Sequence, residues 1–198
     1  MEKPPEKVVF LLLGGIVLMI MKKPKILQVA QLGHPIIRQK TKLIKNIKDE
    51  NVQELVDNLI ATCKDLNGVG IAAPQVYEPA RLFIVWSHPN PRYPKAPNMD
   101  PTAMINPKIL SRSKEIKKDW EGCLSIPGIR ALVPRYINIE VEYSDRTGKV
   151  YKKKFKEFVA RIFQHELDHL NGIVFLDRAK SKDIITEKEY QLIMSKKK

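Results

Sequence analysis

Apolar residues recur at helical spacing in two parts of the chain. Between residues 49 and 66 they form one stripe, and Asn67-Gly68 then ends the pattern, which predicts an amphipathic helix near the N-terminus. A second helix is predicted from about Val159 to the stop at Asn171-Gly172. A more polar C-terminal helix is predicted from about residue 181 to residue 194. The stripe of the first helix consists of Val52, Leu55, Val56, Leu59, Ile60, Cys63 and Leu66.

Short apolar or alternating runs predict strands at residues 81–86, 103–109, 131–143 and 150–158. A turn at Asp145–Gly148 joins the last two, so we predict an antiparallel hairpin there. Glycine and proline interrupt residues 120–128, and we predict no regular structure for that segment.

The first 21 residues differ from the rest of the chain. Val8–Met21 is an unbroken run of apolar residues and glycine, shorter than the roughly 20 residues that a membrane-spanning helix needs. A transit peptide would be rich in Arg and Ser, but the first of these are Arg38 and Ser87. Three interpretations stay open: an upstream extension before a start at Met21, a membrane-associating leader, or an ordered segment packed on the domain. We treat residues 1–21 as an apolar leader and residues 22–198 as a single domain.

Composition indicates a globular chain that works in a reducing compartment. With 198 residues, 43% hydrophobic and 29% charged, the chain can bury one well-formed core. The formal net charge of +13 fits two interpretations equally, a polyanionic neighbour such as nucleic acid or an anionic membrane surface, or a solvated basic surface without such a partner. No basic run is interleaved with aromatic residues, as a single-strand binder would need. Two cysteines form no disulfide framework, so we expect a cytoplasmic protein with Cys63 as a core residue.

The residues with the clearest chemistry are Gln164 to Leu170, which contain the pattern H-E-x-x-H. His165 and His169 are four residues apart and therefore lie on one helix face, where both imidazoles can reach one metal ion. Glu166 beside them can reach a water molecule bound to that ion. The motif predicts a hydrolytic metal site, but it supplies only two of the three protein ligands that a catalytic metal usually takes.

Three positions compete for the third ligand. A downstream histidine is excluded because Phe175 stands where H-E-x-x-H-x-x-G-x-x-H requires it. A downstream carboxylate, Glu187 or Glu189, would give a thermolysin-like site, and Cys123 lies upstream. These last two alternatives stay open on spacing alone.

The segment Gly68–Val76 is rich in small residues and has one amide, Gln75. It lacks the Lys and Ser/Thr of a P-loop and the third Gly of a dinucleotide fingerprint. It predicts a backbone that approaches a ligand closely, with the Gln75 amide as a neutral N–H donor.

Three stretches together resemble the signature motifs of peptide deformylases, in the same order: Gly68–Gln75, Glu121–Ser125 and Gln164–His169. The resemblance covers residues from about 25 to 180, and its one small departure is Ile71, where many members carry Leu. With the predicted elements, it implies an α+β fold in which antiparallel sheets pack around a central helix that carries the metal motif. The N-terminal amphipathic helix and the C-terminal helix flank this arrangement.

The resemblance implies one divalent metal held by Cys123, His165 and His169, with Fe(II) as the physiological ion and zinc, nickel or cobalt accepted. It implies an enzyme that removes the N-formyl group from the N-terminal methionine of new polypeptides and releases formate. Two alternatives are weighed against it. One is a zinc endopeptidase with Glu189 as third ligand, and the other is a basic ribosome- or RNA-associated protein with a structural metal.

The same resemblance implies roles for individual residues. Glu166 is expected to act as general base and then as general acid, while the Gln75 side chain and the Leu124 backbone N–H stabilise the oxyanion. A peptide is expected to pair as an added strand with the backbone at Val69-Gly70 and at residues 126–130. The residues expected to bind substrate are Val69, Gly70, Gly122, Arg130 for peptide carbonyls, and Phe158 and Ile162 for the methionine side chain.

The expected partner is a formyl-methionyl nascent peptide. The net charge of +13 and the tail Lys196–Lys198 also predict transient contact with the ribosome surface. We expect neither a DNA partner nor stable insertion into a membrane.

Overall fold

The structure is a computed structural model that describes residues 7–13, 16–90 and 93–196, with residues 7–13 and 16–22 described by their backbone alone. The helices are α1 Glu50–Asp65, α2 Glu157–Leu170 and α3 Glu187–Ser195. The strands are β1 Lys7–Leu13, β2 Ile16–Lys22, β3 Gly70–Ala72, β4 Leu82–Val85, β5 Thr102–Arg112, β6 Ile116–Cys123, β7 Ile126–Tyr136, β8 Asn138–Ser144, β9 Val150–Lys156 and β10 Ile184–Thr186.

All strand pairs in the described residues are antiparallel. A five-stranded sheet has the order β3-β4-β5-β8-β9, and a three-stranded sheet has the order β10-β7-β6. Helix α2 contacts strands of both sheets. The expected α+β fold with antiparallel sheets and helices is confirmed, and the residues of the H-E-x-x-H pattern lie on α2.

Strand β4 shows how the five-stranded sheet is held between two helices. All four of its residues are buried, and successive side chains point to opposite faces. Phe83 and Val85 pack in the cluster that contains Phe163 of α2, with the rings of Phe83 and Phe163 at 5.1 Å. Leu82 and Ile84 pack on the other face with α1. Each such side chain stabilises the fold by about 1.5–3 kcal/mol through burial.

Helix α1 confirms the N-terminal amphipathic helix predicted at residues 49–66. The Asp49 side chain accepts a hydrogen bond from the Asn51 N–H at 2.9 Å and so caps the first turn. Asn67, with a φ of 49°, ends the helix in the left-handed region. Cys63 is fully buried in the core, as predicted.

The predicted start of the C-terminal helix, at residue 181, is wrong. Ile184–Thr186 instead form β10, in which Ile184 lies opposite Ala131 of β7. The helix begins at Glu187, and the Thr186 side chain caps it by accepting from the Glu189 N–H at 3.3 Å. Two β-branched isoleucines beside a sheet edge favour strand over helix.

Two predictions about the middle of the chain are also wrong. Residues 120–128, predicted to be irregular, form the end of β6, the turn Leu124-Ser125 and the start of β7. The single strand predicted at residues 131–143 is divided between β7 and β8, which belong to different sheets. At the end of β7, the Gln164 side chain accepts from the Tyr136 N–H at 3.1 Å and donates to the Tyr136 carbonyl at 2.9 Å.

The hairpin predicted after residue 131 is present as β8 and β9, and α2 begins two residues before the predicted Val159. At the N-terminus β1 and β2 pair with each other, with Val8 opposite Met21. Residues 1–6, 14 and 15 of the leader, and Lys197 and Lys198 of the tail, lie outside the described residues. In the described part of the chain, every helix is too short or too polar to cross a bilayer.

Candidate metal centre

Helix α2 and the end of β6 bring together three side chains of types that can bind a metal ion. His165 and His169 lie one turn apart on α2, and Cys123 is the last residue of β6. One ligand atom from each of these residues lies within 4.8 Å of the other two, and Cys123 Sγ is 3.2 Å from His169 Nε2. Around a tetrahedral ion with bonds of about 2.0–2.3 Å, neighbouring ligand atoms are about 3.5 Å apart. The donor set therefore fits a divalent metal ion.

The orientation of His165 is fixed from behind. Its Nδ1 lies 2.9 Å from Glu121 Oε2, so Nδ1 carries the proton and Nε2 is left to face the other two ligand atoms. Glu121 belongs to the second signature motif, but the sequence had assigned it no role. It is the residue that sets which nitrogen of His165 can bind a metal.

Glu121 is itself held by two arginines. It is 3% exposed, its two oxygens accept from Arg135 at 2.9 Å each, and Oε1 also accepts from Arg161 Nη1 at 2.7 Å. Burial alone would raise the pKa of this carboxyl, but Arg135 outweighs burial and holds the pKa well below its usual range. Glu121 is therefore ionised and can accept the His165 proton.

The charge network continues through Arg135 to the metal-motif helix. Asp168 is buried, accepts from Arg135 at 2.5 Å, and accepts twice from Arg178 at 2.5 Å. Arg135 and Asp168 thus connect β7 with α2 directly behind the two histidines. Removing one member of such a buried network leaves its partners charged and unpaired.

Glu166, next to His165 on α2, has one buried carboxylate oxygen without a hydrogen-bond partner. Among the described residues, only two buried side-chain polar atoms lack a hydrogen bond, and these are Glu166 Oε2 and His169 Nδ1. Burial raises the pKa of Glu166 to about 7, although the neighbouring His165 acts in the opposite direction. A carboxyl with such a pKa can both accept and return a proton near neutrality.

Gln75 lies on the opposite side of Cys123, in a short 3-10 helix at Ala73–Val76. Its Oε1 accepts from the Ala72 N–H at 2.8 Å, which fixes the direction of the amide. Its Nε2 therefore points toward the metal centre, where it donates to Ser125 Oγ at 3.1 Å and approaches Cys123 Sγ at 3.5 Å. Leu124 follows Cys123 as the first residue of the turn after β6.

A cleft in front of the centre contains about 540 Å³ of space, open to solvent. The structure brings five of the six predicted substrate-binding residues to this cleft, namely Val69, Gly70, Gly122, Phe158 and Ile162. Tyr93 and Arg161 also line it and were not predicted. Arg161 could have been noticed, because it interrupts the apolar face of α2 one turn before His165.

The sixth predicted residue, Arg130, is not among the residues that line the cleft. Its side chain is 4% exposed, pairs with Glu187 at 2.5 Å and lies over the Tyr190 ring at 5.0 Å. It packs behind Gly122, where an added Cβ would be 2.5 Å from Arg130 Nη1. Contact of Arg130 with a peptide carbonyl stays a prediction. The expected pairing of a peptide along residues 126–130 is wrong for Ile129 and Arg130, because β10 already pairs with them.

Gly70 sets the position of Glu166, since a Cβ at Gly70 would lie 2.6 Å from Glu166 Oε1. The added Cβ would force Glu166 to move. We expect Gly70→Ala to lower kcat by about 10- to 100-fold, because a misplacement of a side chain by about 1 Å is enough for such a loss. Metal content should not change, and kcat and metal content are measured on the same sample. Gly68→Ala is the matched control, since its Cβ would meet Cys63 Sγ at 3.1 Å instead. An unchanged kcat in Gly70→Ala would show that β3 does not constrain Glu166.

The protein has an α+β fold, and its central helix brings a His-Glu-x-x-His motif close to a cysteine thiol. This combination is typical of metal-dependent hydrolases. Residues 26–184 match the polypeptide deformylase family, and the chain belongs to that family. Enzymes of this family remove the N-formyl group from new polypeptides, and this hydrolysis is the function of the chain. The endopeptidase alternative is not favoured.

The similarity of this chain to individual relatives extends over nearly the whole length of those proteins. The chain is 59% identical over 174 residues to peptide deformylase 2 of Nostoc sp., across 87% of this chain and 97% of that protein. A class I type b peptide deformylase from Acinetobacter baumannii, solved with Met-Ala-Ser bound, has a TM-score of 0.76 and 44% identity, and covers 78% of this chain and 98% of its own. A Synechococcus elongatus peptide deformylase in complex with actinonin has a TM-score of 0.71 and 30% identity, with 92% and 89% covered.

Proposed function

We propose that deformylation by this chain uses Cys123, His165 and His169 as the protein ligands of one divalent metal, with Glu166 as the proton carrier. The observation that carries the proposal is the meeting of three ligand atoms within 4.8 Å beside an unpartnered Glu166 oxygen. Thiolate and imidazole ligands suit iron and zinc, and we propose Fe(II) as the physiological ion, with zinc, nickel or cobalt as substitutes. When bound, the ion supplies Lewis acidity, which acidifies water and polarises the formyl carbonyl.

Glu166 carries the proton between the two halves of the reaction. Its Oε2 accepts a proton from the attacking water and returns it to the amide nitrogen as the C–N bond of the formyl group breaks. The products are formate and a peptide with a free amino terminus. A pKa of about 7 allows both transfers at neutral pH, because neither protonation state is strongly disfavoured.

Two neutral donors meet the negative charge that develops on the formyl oxygen. The Gln75 amide is oriented by its hydrogen bond from the Ala72 N–H, and the second proposed donor is the backbone N–H of Leu124, the residue after Cys123. A fixed donor of this kind typically stabilises a transition state by about 2.7–4 kcal/mol. Gln75 and Leu124 therefore act on the oxygen, and Glu166 acts on the nitrogen.

The peptide is expected to lie along the free edge of β3. Trp86 N–H donates to the Val69 carbonyl at 2.8 Å, and Gly70 is opposite Val85. Hydrogen-bonded and non-hydrogen-bonded pairs alternate in an antiparallel ladder, so the N–H and C=O of Gly70 point away from β4. These groups can pair with a peptide strand. The methionine side chain then enters the cleft beside Val69, Phe158 and Ile162.

The Acinetobacter baumannii enzyme binds Met-Ala-Ser, and by similarity we propose formyl-Met-Ala-Ser as a substrate here. The test is formate release from that peptide under anaerobic conditions, with metal analysis of the same sample. We expect stoichiometric formate and one metal ion per chain. Cleavage of an internal bond without formate, or no reaction in metal-loaded protein, would refute the proposal.

We also propose that the enzyme works in the cytoplasm in transient contact with the ribosome. The formal charge of +13 supports this, because a basic surface attracts ribosomal RNA. Co-sedimentation with ribosomes should be strong at low salt and fall steeply as salt rises. Absent or salt-insensitive co-sedimentation would contradict this partner.

A further inference from the structure

The apolar leader has no role in the reaction described above, and it lies outside the residues that match the family. Its two strands, β1 and β2, pair with each other and belong to neither sheet of the domain. Among the described elements, each of these strands has its main contacts with the other. The hairpin of β1 and β2, called the leader hairpin below, is therefore not part of the domain core.

Both faces of the leader hairpin are apolar. Between Lys7 and Lys22 every residue of the two strands is apolar. Successive residues of a strand belong to opposite faces, so neither face of the hairpin carries the polar positions that contact with water favours. A hairpin packed on its own domain would bury one face and keep polar residues on the other. The sequence of the hairpin thus fits an apolar medium that reaches both faces.

The open end of the leader hairpin is cationic. Lys7 lies directly opposite Lys22, and like charges in this position destabilise a strand pair, so this end favours an anionic neighbour. From residue 7 to residue 48 the sequence contains nine Lys and Arg and no Asp or Glu, whereas the first six residues contain one Lys and two Glu. Beyond the hairpin all cations of this run are exposed, namely Lys23, Lys25, Arg38, Lys40, Lys42, Lys45 and Lys48.

The chain that follows the leader hairpin is fixed to helix α1. The Lys25 N–H donates to Asn58 Oδ1 at 2.7 Å, and the Leu27 N–H donates to Thr62 Oγ1 at 2.9 Å. Only three residues separate the end of β2 from Lys25, a reach of about 10 Å. A surface that holds the hairpin therefore also holds the domain close to it.

We propose that the leader hairpin docks the enzyme reversibly on an anionic lipid bilayer, with its apolar strands in the interfacial layer and its lysines against the headgroups. An apolar segment and a basic run together give the two signals that stable attachment needs. Seven residues extend about 23 Å, less than the hydrocarbon core of roughly 30 Å. Among the described strands, β1 and β2 each pair on one side only, and their free edges favour the hydrated interface over the hydrocarbon core.

Two other occupants fit these observations less well. RNA would neutralise the lysines but would offer no apolar medium to the strands. The hairpin of a second copy of the chain would cover apolar positions, but it would bring further lysines to the open end instead of the anions that this end favours. An anionic bilayer meets both requirements, and docking on it is independent of the deformylation proposed above.

The experiment is flotation of the full chain with vesicles of phosphatidylcholine alone or with added phosphatidylglycerol. We expect binding to the anionic vesicles to be stronger by at least about tenfold, because each lysine near such a surface contributes about fivefold. Added salt should weaken the binding. The chain without residues 1–22 should lose the binding and keep its kcat. No binding by the full chain, or equal binding by the shortened chain, would overturn the proposal.

Single substitutions in the full chain separate the apolar strands from the charges. Leu12 lies opposite Val17, and Leu12→Asp or Val17→Asp should reduce binding to anionic vesicles by at least about tenfold, because a carboxylate at that place must be desolvated. Lys22→Gln should weaken binding by about fivefold. Lys154→Gln, at an exposed position of β9, is the matched control and should have no such effect. Equal losses in the two Gln variants would assign the attraction to net charge and overturn the role of the hairpin.

Further outcomes identify the occupant. Peptides from residues 1–20 in digests of the native protein would support the leader hairpin, whereas a native N-terminus at Met21 would overturn it. Ribosome co-sedimentation that disappears without residues 1–22 would assign the hairpin to RNA. A dimer that Leu12→Asp dissociates would assign it to a second copy, and either result would overturn the proposal. Formate release is unaffected by these outcomes, so its absence would refute the proposed function alone.

Discussion

Glu166→Ala is expected to lose turnover and keep its metal, whereas Cys123→Ala loses the metal itself. Glu166 is one of the two buried side chains in the described part of the chain with an unpartnered polar atom, and the role proposed for it is to move a proton. General acid–base groups increase reaction rates by about 10²- to 10⁴-fold, so kcat should fall by at least about 10²-fold. Cys123 supplies one of three ligand atoms, and two histidines alone hold a divalent ion weakly. Formate release and elemental analysis of the same samples measure both effects.

Glu189→Ala is the matched control for this pair of variants. Glu189 is an exposed residue of α3 and was the third ligand of the endopeptidase alternative, so its loss should leave both metal and turnover unchanged. Glu166→Gln, which keeps the size of the side chain, should behave like Glu166→Ala. Equal metal contents in Glu166→Ala and Cys123→Ala would contradict the assigned roles.

The parts of the site that sequence could predict are those whose geometry is local. The grouping of His165 and His169, with Glu166 beside them, follows from the helical period alone, because residues four apart lie on the same helix face about one turn apart. Cys123 did not follow from its surroundings, since Gly122 and Pro127 disfavour strands in isolation. The ladder that places Cys123 opposite Ile126 exists only once β6 and β7 pair. Its grouping with the histidines therefore came from the resemblance of three motifs.

The charge network behind the histidines depends on tertiary contacts of a longer range. Glu121 meets Arg135 across the β6–β7 pair and Arg161 from α2, 40 positions further along the chain. No spacing rule connects residues on three different elements, although each is a charged residue in an otherwise apolar setting. The same limit applies to Gln164, whose side chain binds the backbone of Tyr136, 28 positions away, at the end of β7. Buried polar residues of this kind override local propensity because their hydrogen bonds must be satisfied inside the fold.

Glu121→Ala is expected to destabilise the protein and to weaken metal binding at the same time. Without this carboxylate, Arg135 and Arg161 stay buried and lose their shared partner, which costs about 3–5 kcal/mol of unfolding free energy. His165 also loses the acceptor that fixes its tautomer, and loss of such a partner lowers metal affinity by about 10- to 100-fold. Urea unfolding of metal-free protein measures the first effect, and competition with a chelator measures the second.

The choice of Glu121 variants distinguishes charge from hydrogen bonding. Glu121→Gln keeps an oxygen that can accept from His165 but removes the charge that both arginines need. Compared with Glu121→Ala, it should therefore lose less metal affinity but a similar amount of unfolding free energy. Glu142, an acid on β8 that pairs with Lys108 at 2.8 Å near the surface, is the matched control, and its replacement by Ala should change stability little. If Glu121→Ala unfolded at the same urea concentration as Glu142→Ala, the buried network would not be what joins β6, β7 and α2. The position of Cys123 relative to the histidines would then have to come from apolar packing alone, chiefly from the cluster of Ile126, Ala131 and Phe175 against which Cys123 lies.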